Sequence, residues 1–212
     1  MNLMRNIIIL LNFFSVKGLK YYYHPDIHNF GNIGLRGRIH AELSPFFTKL
    51  IDNHAYNGKD IRSDILNKYS GKKIIDFCCG TGFSTQIGNT GIDTSSEMLD
   101  VAKKTHNNKN FYFGNAENYG ADNEYDIVTC MFSFHEMPNY AHNLIIDNAI
   151  RVAKEEIIIV DISPNYNPSK MMISGEPYII DYLNSIQDTL NDFSEFIYID
   201  GHVTIWKKNL LK

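Results

Sequence analysis

From Lys72 onward the chain alternates short apolar runs with amphipathic stretches, and few architectures can bury such a pattern. Lys73 to Cys79 (KIIDFCC), Gly91 to Thr94 (GIDT), Phe111 to Gly114, Tyr125 to Phe132 (YDIVTCMF) and Glu156 to Ile162 (EIIIVDI) read as buried strands. Between them, Ser96 to His106, Tyr140 to Ala153 and Tyr178 to Phe193 carry helical periodicity. This alternation predicts an α/β fold, with a mostly parallel sheet and helices on both faces. The tail breaks the rhythm. Phe196 to Asp200 and Val203 to Lys207 are joined by Gly201-His202 alone, so only an antiparallel pair fits there. Five alternating strands and a terminal hairpin give a seven-stranded sheet with one reversed strand.

With 212 residues, 44% of them hydrophobic, the chain can bury the core of one domain but not of two large ones. No repeat, low-complexity tract or Pro/Gly/Ser linker divides it. The expected organisation is a helical and aromatic cap over residues 1–70 and the sheet domain over 71–212. Within the cap Ala41, Leu43, Phe46, Phe47, Leu50 and Ile51 recur at helical spacing, with Pro45 expected near a helix start. Ahead of them Ile7 to Leu11, Phe13, Phe14 and Val16 form an apolar run behind Arg5. It is too short to span a bilayer, which takes about 20 apolar residues. It reads as a helix packed on the domain, or as a signal or membrane-surface anchor within residues 1–16.

The most informative segment is Ile74-Ile75-Asp76-Phe77-Cys78-Cys79-Gly80-Thr81-Gly82-Phe83-Ser84. A buried strand ends in a carboxylate and runs into a glycine-rich turn, where missing side chains let a ligand lie against bare backbone. A second strand ends in Asp93, placed to accept from the vicinal hydroxyls of a ribose. The third ends in Gly114-Asn115-Ala116-Glu117, whose polar side chain and backbone amide suit an adenine edge. A dinucleotide fingerprint would want a third glycine where Thr85 stands, and a pyrophosphate would be repelled by Asp76. A cationic amino-acid ligand would be attracted to it. Plainer readings compete at each position: a tight turn at Gly80 and Gly82, a helix cap at Asp93, a turn residue at Asn115. Their placement at three successive strand ends is what those readings leave unexplained.

In these motifs the chain resembles the class I S-adenosylmethionine-dependent methyltransferases of the small-molecule, type-11-like kind, from about Lys72 to Lys208. The resemblance implies a Rossmann-like fold with a reversed last strand, S-adenosyl-L-methionine as cofactor and S-adenosyl-L-homocysteine as product. The cofactor-binding residues it implies are Asp76, Cys79, Gly80 and Gly82 in the first loop and Asp93, Thr94 and Met98 around the second. Asn115, Ala116 and Glu117 follow in the third loop, and Met131 ends the fourth strand. Gly80 and Gly82 would pass the methionine moiety, Asp93 would hold the ribose, and Asn115 with the Ala116 amide would face adenine. Two departures stand out. The family often has Asp where Asn115 stands, and Phe83 to Thr90 leaves only about two turns for the first helix, against a usual three or more.

Methyl transfer from a sulfonium is an in-line displacement, in which the protein aligns the reactants and excludes water. His135-Glu136 follows the fourth strand, on the carboxyl edge where such folds bind ligands. A near-neutral His135 would take a proton from the acceptor, with Glu136 orienting it; the alternative is a structural histidine beside a solvated glutamate. Tyr21 to Asn29, with Tyr23 and His28, and Pro164 to Tyr182, with Tyr166 and Tyr178, are expected to roof the acceptor.

A net charge of −4 argues against a polyphosphate partner. The Pro-containing tetrapeptide of amino-methylating DNA enzymes and the Pro-Cys dipeptide of a covalent cytosine mechanism are both absent, Met131-Phe132-Ser133-Phe134 occupying the former's place. Cys78, Cys79 and Cys130 offer no metal spacing and no disulfide framework, which points to a reducing, cytoplasmic setting. A small-molecule acceptor, no nucleic acid, no metal and a monomer or homodimer are therefore expected. The competing class is a non-catalytic subunit that keeps the fold and the cofactor.

Overall fold

The computed structural model describes residues 20–210 and is organised around one sheet. Its strands are β1 (Ile74–Phe77), β2 (Thr90–Asp93), β3 (Asn110–Phe113), β4 (Tyr125–Met131), β5 (Ala153–Ile162), β6 (Ser194–Ile199) and β7 (Val203–Asn209). They lie in the order β3-β2-β1-β4-β5-β7-β6. β1 to β5 are parallel, and β7 runs antiparallel between β5 and β6. The sheet winds outward in both directions from β1, which opens a crevice above the carboxyl ends of β1, β2 and β4.

Alternating residues of the central strands feed two cores, because successive strand side chains point to opposite faces. On one face Ile75, Val128, Ile157 and Ile159 pack with α4 (Asn139–Val152) and α6 (Ile179–Thr189) through Ile145, Ala149, Tyr182 and Ile186. On the other, Ile74, Ile127, Ile158 and Val160 meet α2 (Ile61–Leu66) through Ile61, Ile65 and Leu66. The helix α3 (Ser96–Thr105) starts where Ser95 Oγ accepts from the Met98 amide at 3.2 Å, and it ends beside Lys103 and Lys104, favourably placed against its dipole. A short helix, α5 (Lys170–Gly175), follows β5.

Residues 83–89 form turns and no helix, where the sequence suggested about two helical turns. Ser84 and Thr85 both donate their hydroxyls to Asp76 Oδ2 at 2.7 Å, and side chains bonded in this way compete with helix formation. Pro45 lies inside the long helix α1 (Gly34–Ala55) and not near its start. The ring removes one main-chain bond, but tertiary contacts hold the helix: Ala41 packs on Met98 and Val101, and Arg38 Nη2 lies 2.9 Å from Asp100 Oδ2. Of the six apolar residues read at helical spacing, only Ala41 is buried. Phe46 is 62% exposed, while Leu43, Phe47 and Ile51 face a cavity. The apolar run through residues 7–16 lies outside the described residues; within them no helix is long and apolar enough to cross a membrane.

Candidate cofactor and acceptor site

A cavity of about 840 Å³ fills the crevice above β1, β2 and β4. Its floor is made by the loops that follow these strands and β3. Its walls come from residues 21–32, from α1 and from the segment around α5.

One end has the chemistry of a nucleoside site. Asp93 accepts from the Gly80 amide through Oδ2 at 2.9 Å and from the Ser95 amide through Oδ1 at 2.8 Å, so one carboxylate ties the first loop to the second. Burial raises it to about 6, opposed by the Ser95 and Gly80 amides. Ser95, not Asp93, caps α3, which removes the capping explanation for Asp93. Cys79, Gly80, Asp93, Thr94, Met98, Asn115, Ala116 and Met131 all border the cavity. Asn115 doubles as a turn residue: its Oδ1 accepts from the Glu117 amide at 3.0 Å and its Nδ2 donates to Glu117 Oε2 at 3.2 Å.

Three expected cofactor residues stand elsewhere. Asp76, 1% exposed, is enclosed by Ser84, Thr85 and Thr129, so it braces the loop and does not meet the cavity as a free anion. Gly82 turns away from the cavity. A Cβ there would stand 2.5 Å from the Phe111 ring, so its small size serves packing. Glu117 lies outside the lining and reaches the site only through Asn115. By contrast Gly80, at φ 51, has open space where a Cβ would be, and such a bare surface fits a close-lying ligand. Cys78 also borders the cavity and holds a left-handed φ of 58, unusual for a residue with a side chain.

At the other end His135, 5% exposed, is held by Asp161 at the end of β5. Asp161 Oδ1 lies 2.6 Å from His135 Nδ1, and its Oδ2 accepts from the Phe134 amide at 2.7 Å and the His135 amide at 3.3 Å. Burial alone would lower His135, but the charge of Asp161, with Glu136 and Glu176, lifts it to about 9. The expected near-neutral histidine is thus an imidazolium at pH 7. Its orienting partner is Asp161 and not Glu136, whose Oε1 is 4.0 Å from His135 Nε2. Glu136 pairs instead with His28 at 2.7 Å; burial would raise it, yet the His28 and His135 cations hold it down at about 2. A second carboxylate, Glu176, sits 2.5 Å from the other nitrogen of His28.

Of the four expected acceptor contacts, His28 and Tyr166 face the cavity. Tyr23 and Tyr178 do not: Tyr23 donates to the Thr94 carbonyl at 3.3 Å, and Tyr178 packs edge-on against His24. Tyr21 and Tyr22 line the cavity instead. Asp161 had a readable signal, an acid ending the apolar run EIIIVDI just as Asp76 and Asp93 end theirs. Glu176 had none.

Residues 74–156 match a family model described as a methyltransferase domain. The chain is 37% identical over 92 residues to a demethylmenaquinone methyltransferase of Staphylococcus saprophyticus, covering 37% of this chain and 40% of that protein. It therefore spans less than half the length of this relative. The structure of magnesium protoporphyrin IX methyltransferase from Synechocystis PCC 6803 with bound S-adenosylmethionine aligns at TM-score 0.52 and 16% identity, over 95% of each chain. An S-adenosylmethionine-dependent methyltransferase from Aquifex aeolicus aligns at TM-score 0.52 and 17% identity, over 71% of this chain and 89% of that one. At these identities the structural likeness speaks for the fold.

Proposed function

We propose that the protein, whose residues 74–156 match a methyltransferase domain model, transfers a methyl group from S-adenosylmethionine to oxygen, nitrogen or carbon of a small organic acceptor. The observation that carries the reading is a single cavity with Asp93 and the Gly80 loop at one end and the Asp161–His135 pair at the other.

Asp93 would hold the ribose hydroxyls, Gly80 would leave room for the amino-acid portion, and Asn115 with Ala116 would border the adenine. The cofactor would supply an activated methyl group on a sulfonium. The chain would align the acceptor, exclude water and manage a proton. Asp161 can only accept, so Nδ1 of His135 carries hydrogen in either charge state and proton exchange falls to Nε2. As an imidazolium His135 would donate to an acceptor oxygen; after losing that proton it would serve as a base. Residues 20–70 would act as a cover, since Tyr21, Tyr22, His28 and α1 close the cavity opposite the sheet.

Titration calorimetry with S-adenosylmethionine tests the reading. Binding by the wild type and a loss of about tenfold or more in Asp93→Ala is expected for a lost charged hydrogen bond. No heat of binding with the wild type would remove the cofactor assignment. Binding without turnover across pools of hydroxylated, amino and carbon acceptors would favour a non-catalytic subunit.

A further inference from the structure

The ring of His28 is gripped on both sides. Nε2 lies 2.7 Å from Glu136 Oε1, on the turn after β4, and Nδ1 lies 2.5 Å from Glu176 Oε1, at the end of α5. Carboxylates only accept, so with one on each nitrogen both nitrogens must donate, and the ring is an imidazolium bridging two elements. The Glu176 side chain has no other hydrogen-bond partner among the described residues, and its Oε2 is buried without one.

The backbone around His28 is shaped for this reach. His28 and Asn29 both adopt left-handed φ, 49 and 61, and the turn closes through the Gly31 amide on the Ile27 carbonyl at 2.7 Å. Gly175 approaches so closely that a Cβ would stand 2.4 Å from Asn29 Nδ2. The same segment also clasps the cofactor end. Tyr23 donates to the Thr94 carbonyl at 3.3 Å, the Ser95 hydroxyl donates to the Asn32 carbonyl at 2.5 Å, and the Gly34 amide donates to Glu97 Oε1 at 2.7 Å.

Resting on the methyltransferase reading above, we propose that His28 is a positioning residue: it clamps Glu136 and Glu176, holds residues 21–33 closed across both ends of the cavity, and keeps Glu136 off His135. The groups around it agree. Burial works against the charge on His28, and the two carboxylates restore it well above the ordinary histidine range. His40 on α1, with its ring 4.7 Å from that of His28, is pushed down by burial and by the His28 charge, and its Nδ1 bonds the Gly31 carbonyl at 3.0 Å. It is therefore a neutral neighbour. His135 also stabilises the Glu136 charge, and Glu136 in turn raises Asp93.

The release rate of S-adenosylhomocysteine, followed by stopped flow, reads the clamp without any knowledge of the acceptor. Wild-type release is expected to be slow near neutral pH and to accelerate as the solution becomes alkaline and His28 loses its proton. His28→Ala should release the product about tenfold faster, the equivalent of losing one good interaction in the closed state, with the alkaline acceleration much reduced. Added imidazole should slow release again. Glu176→Gln keeps the side-chain shape, removes one arm of the clamp and should give an intermediate rate, which covers the case of a poorly folded His28→Ala. Folded variants with the wild-type rate and pH profile would overturn the clamp. Failure of the wild type to bind S-adenosylhomocysteine would instead count against the methyltransferase reading.

Discussion

Asp161 Oδ1 lies 2.6 Å from His135 Nδ1, and the same carboxylate accepts from the amides of Phe134, His135 and Ile162. One buried acid thus fixes the turn after β4, the ring on it and the tautomer of that ring. Its four acceptor contacts include His135 Nδ1 and leave Nε2 as the ring nitrogen not bonded to Asp161.

Asp161→Asn should therefore act on His135 more than on the cofactor. The ring should titrate well below about 9, because burial then opposes its charge with only Glu136 and Glu176 left to support it, as read from the His135 resonances in an NMR titration. Once an acceptor is in hand, turnover should fall by about 10²-fold, the usual scale of acid–base assistance, with cofactor affinity nearly unchanged.

Stability should decline on the alkaline side. His135 is raised from 6.5 to about 9 in the folded protein, so the fold binds its proton more tightly than the unfolded chain does. This stabilisation is complete below about 6.5 and is lost as pH rises through about 9; His28, raised for the same kind of reason, acts in the same direction. The effect is of order 3 kcal/mol at about 1.4 kcal/mol per pKa unit. Melting temperature measured from pH 6 to 9.5 should fall, and the fall should be shallower in Asp161→Asn.

Cofactor affinity should weaken on the acid side. Burial holds Asp93 at about 6, and only the ionised carboxylate can accept from both ribose hydroxyls while keeping the Gly80 and Ser95 amides. Calorimetric affinity for S-adenosylmethionine should be flat above pH 7 and drop below about 6. A flat profile down to pH 5 would place the ribose elsewhere.

Gly82→Ala should cost about 2–4 kcal/mol, combining overpacking against Phe111 with a left-handed φ of 86. Gly80→Ala meets no neighbour and should cost only about 1–2 kcal/mol of backbone strain, while hindering the cofactor. Urea denaturation and calorimetry together should separate the two glycines, one acting on stability and the other on binding.

Replacing Ser84 by Ala and Thr85 by Val together would leave Asp76 Oδ2 buried without a partner. A loss of about 2–5 kcal/mol is expected, from two broken hydrogen bonds to a buried carboxyl group whose ionisation burial already opposes. Chemical denaturation of the double variant beside each single one measures it.

The seven strands were legible because each is a local apolar run whose period is set by the pleat, and the reversed hairpin followed from a connection too short for a crossover. Asp93 and Gly80 were legible for a similar reason: strand ends and turns announce themselves by residue type. The missing helix after Gly82 was not, because it turns on Ser84 and Thr85 finding Asp76, a contact that exists only once β1 is buried. Nor was the exposed apolar stripe of α1, since periodicity identifies a helix face but not what lies opposite it.

The sequence by itself determined the strands, their order of alternation and the polar groups offered at the strand ends, all properties of neighbouring residues. Only the tertiary structure decided which polar groups became partners. His28 and Glu136 are 108 positions apart, and His135 and Asp161 meet because β4 and β5 are adjacent in the sheet. His135 and Asp161 are withdrawn from water and His28 and Glu136 only partly, and each charge is answered by the partner the fold brings within reach. The Asp161–His135 pair and the His28 clamp are therefore consequences of packing that no local stretch of residues could specify.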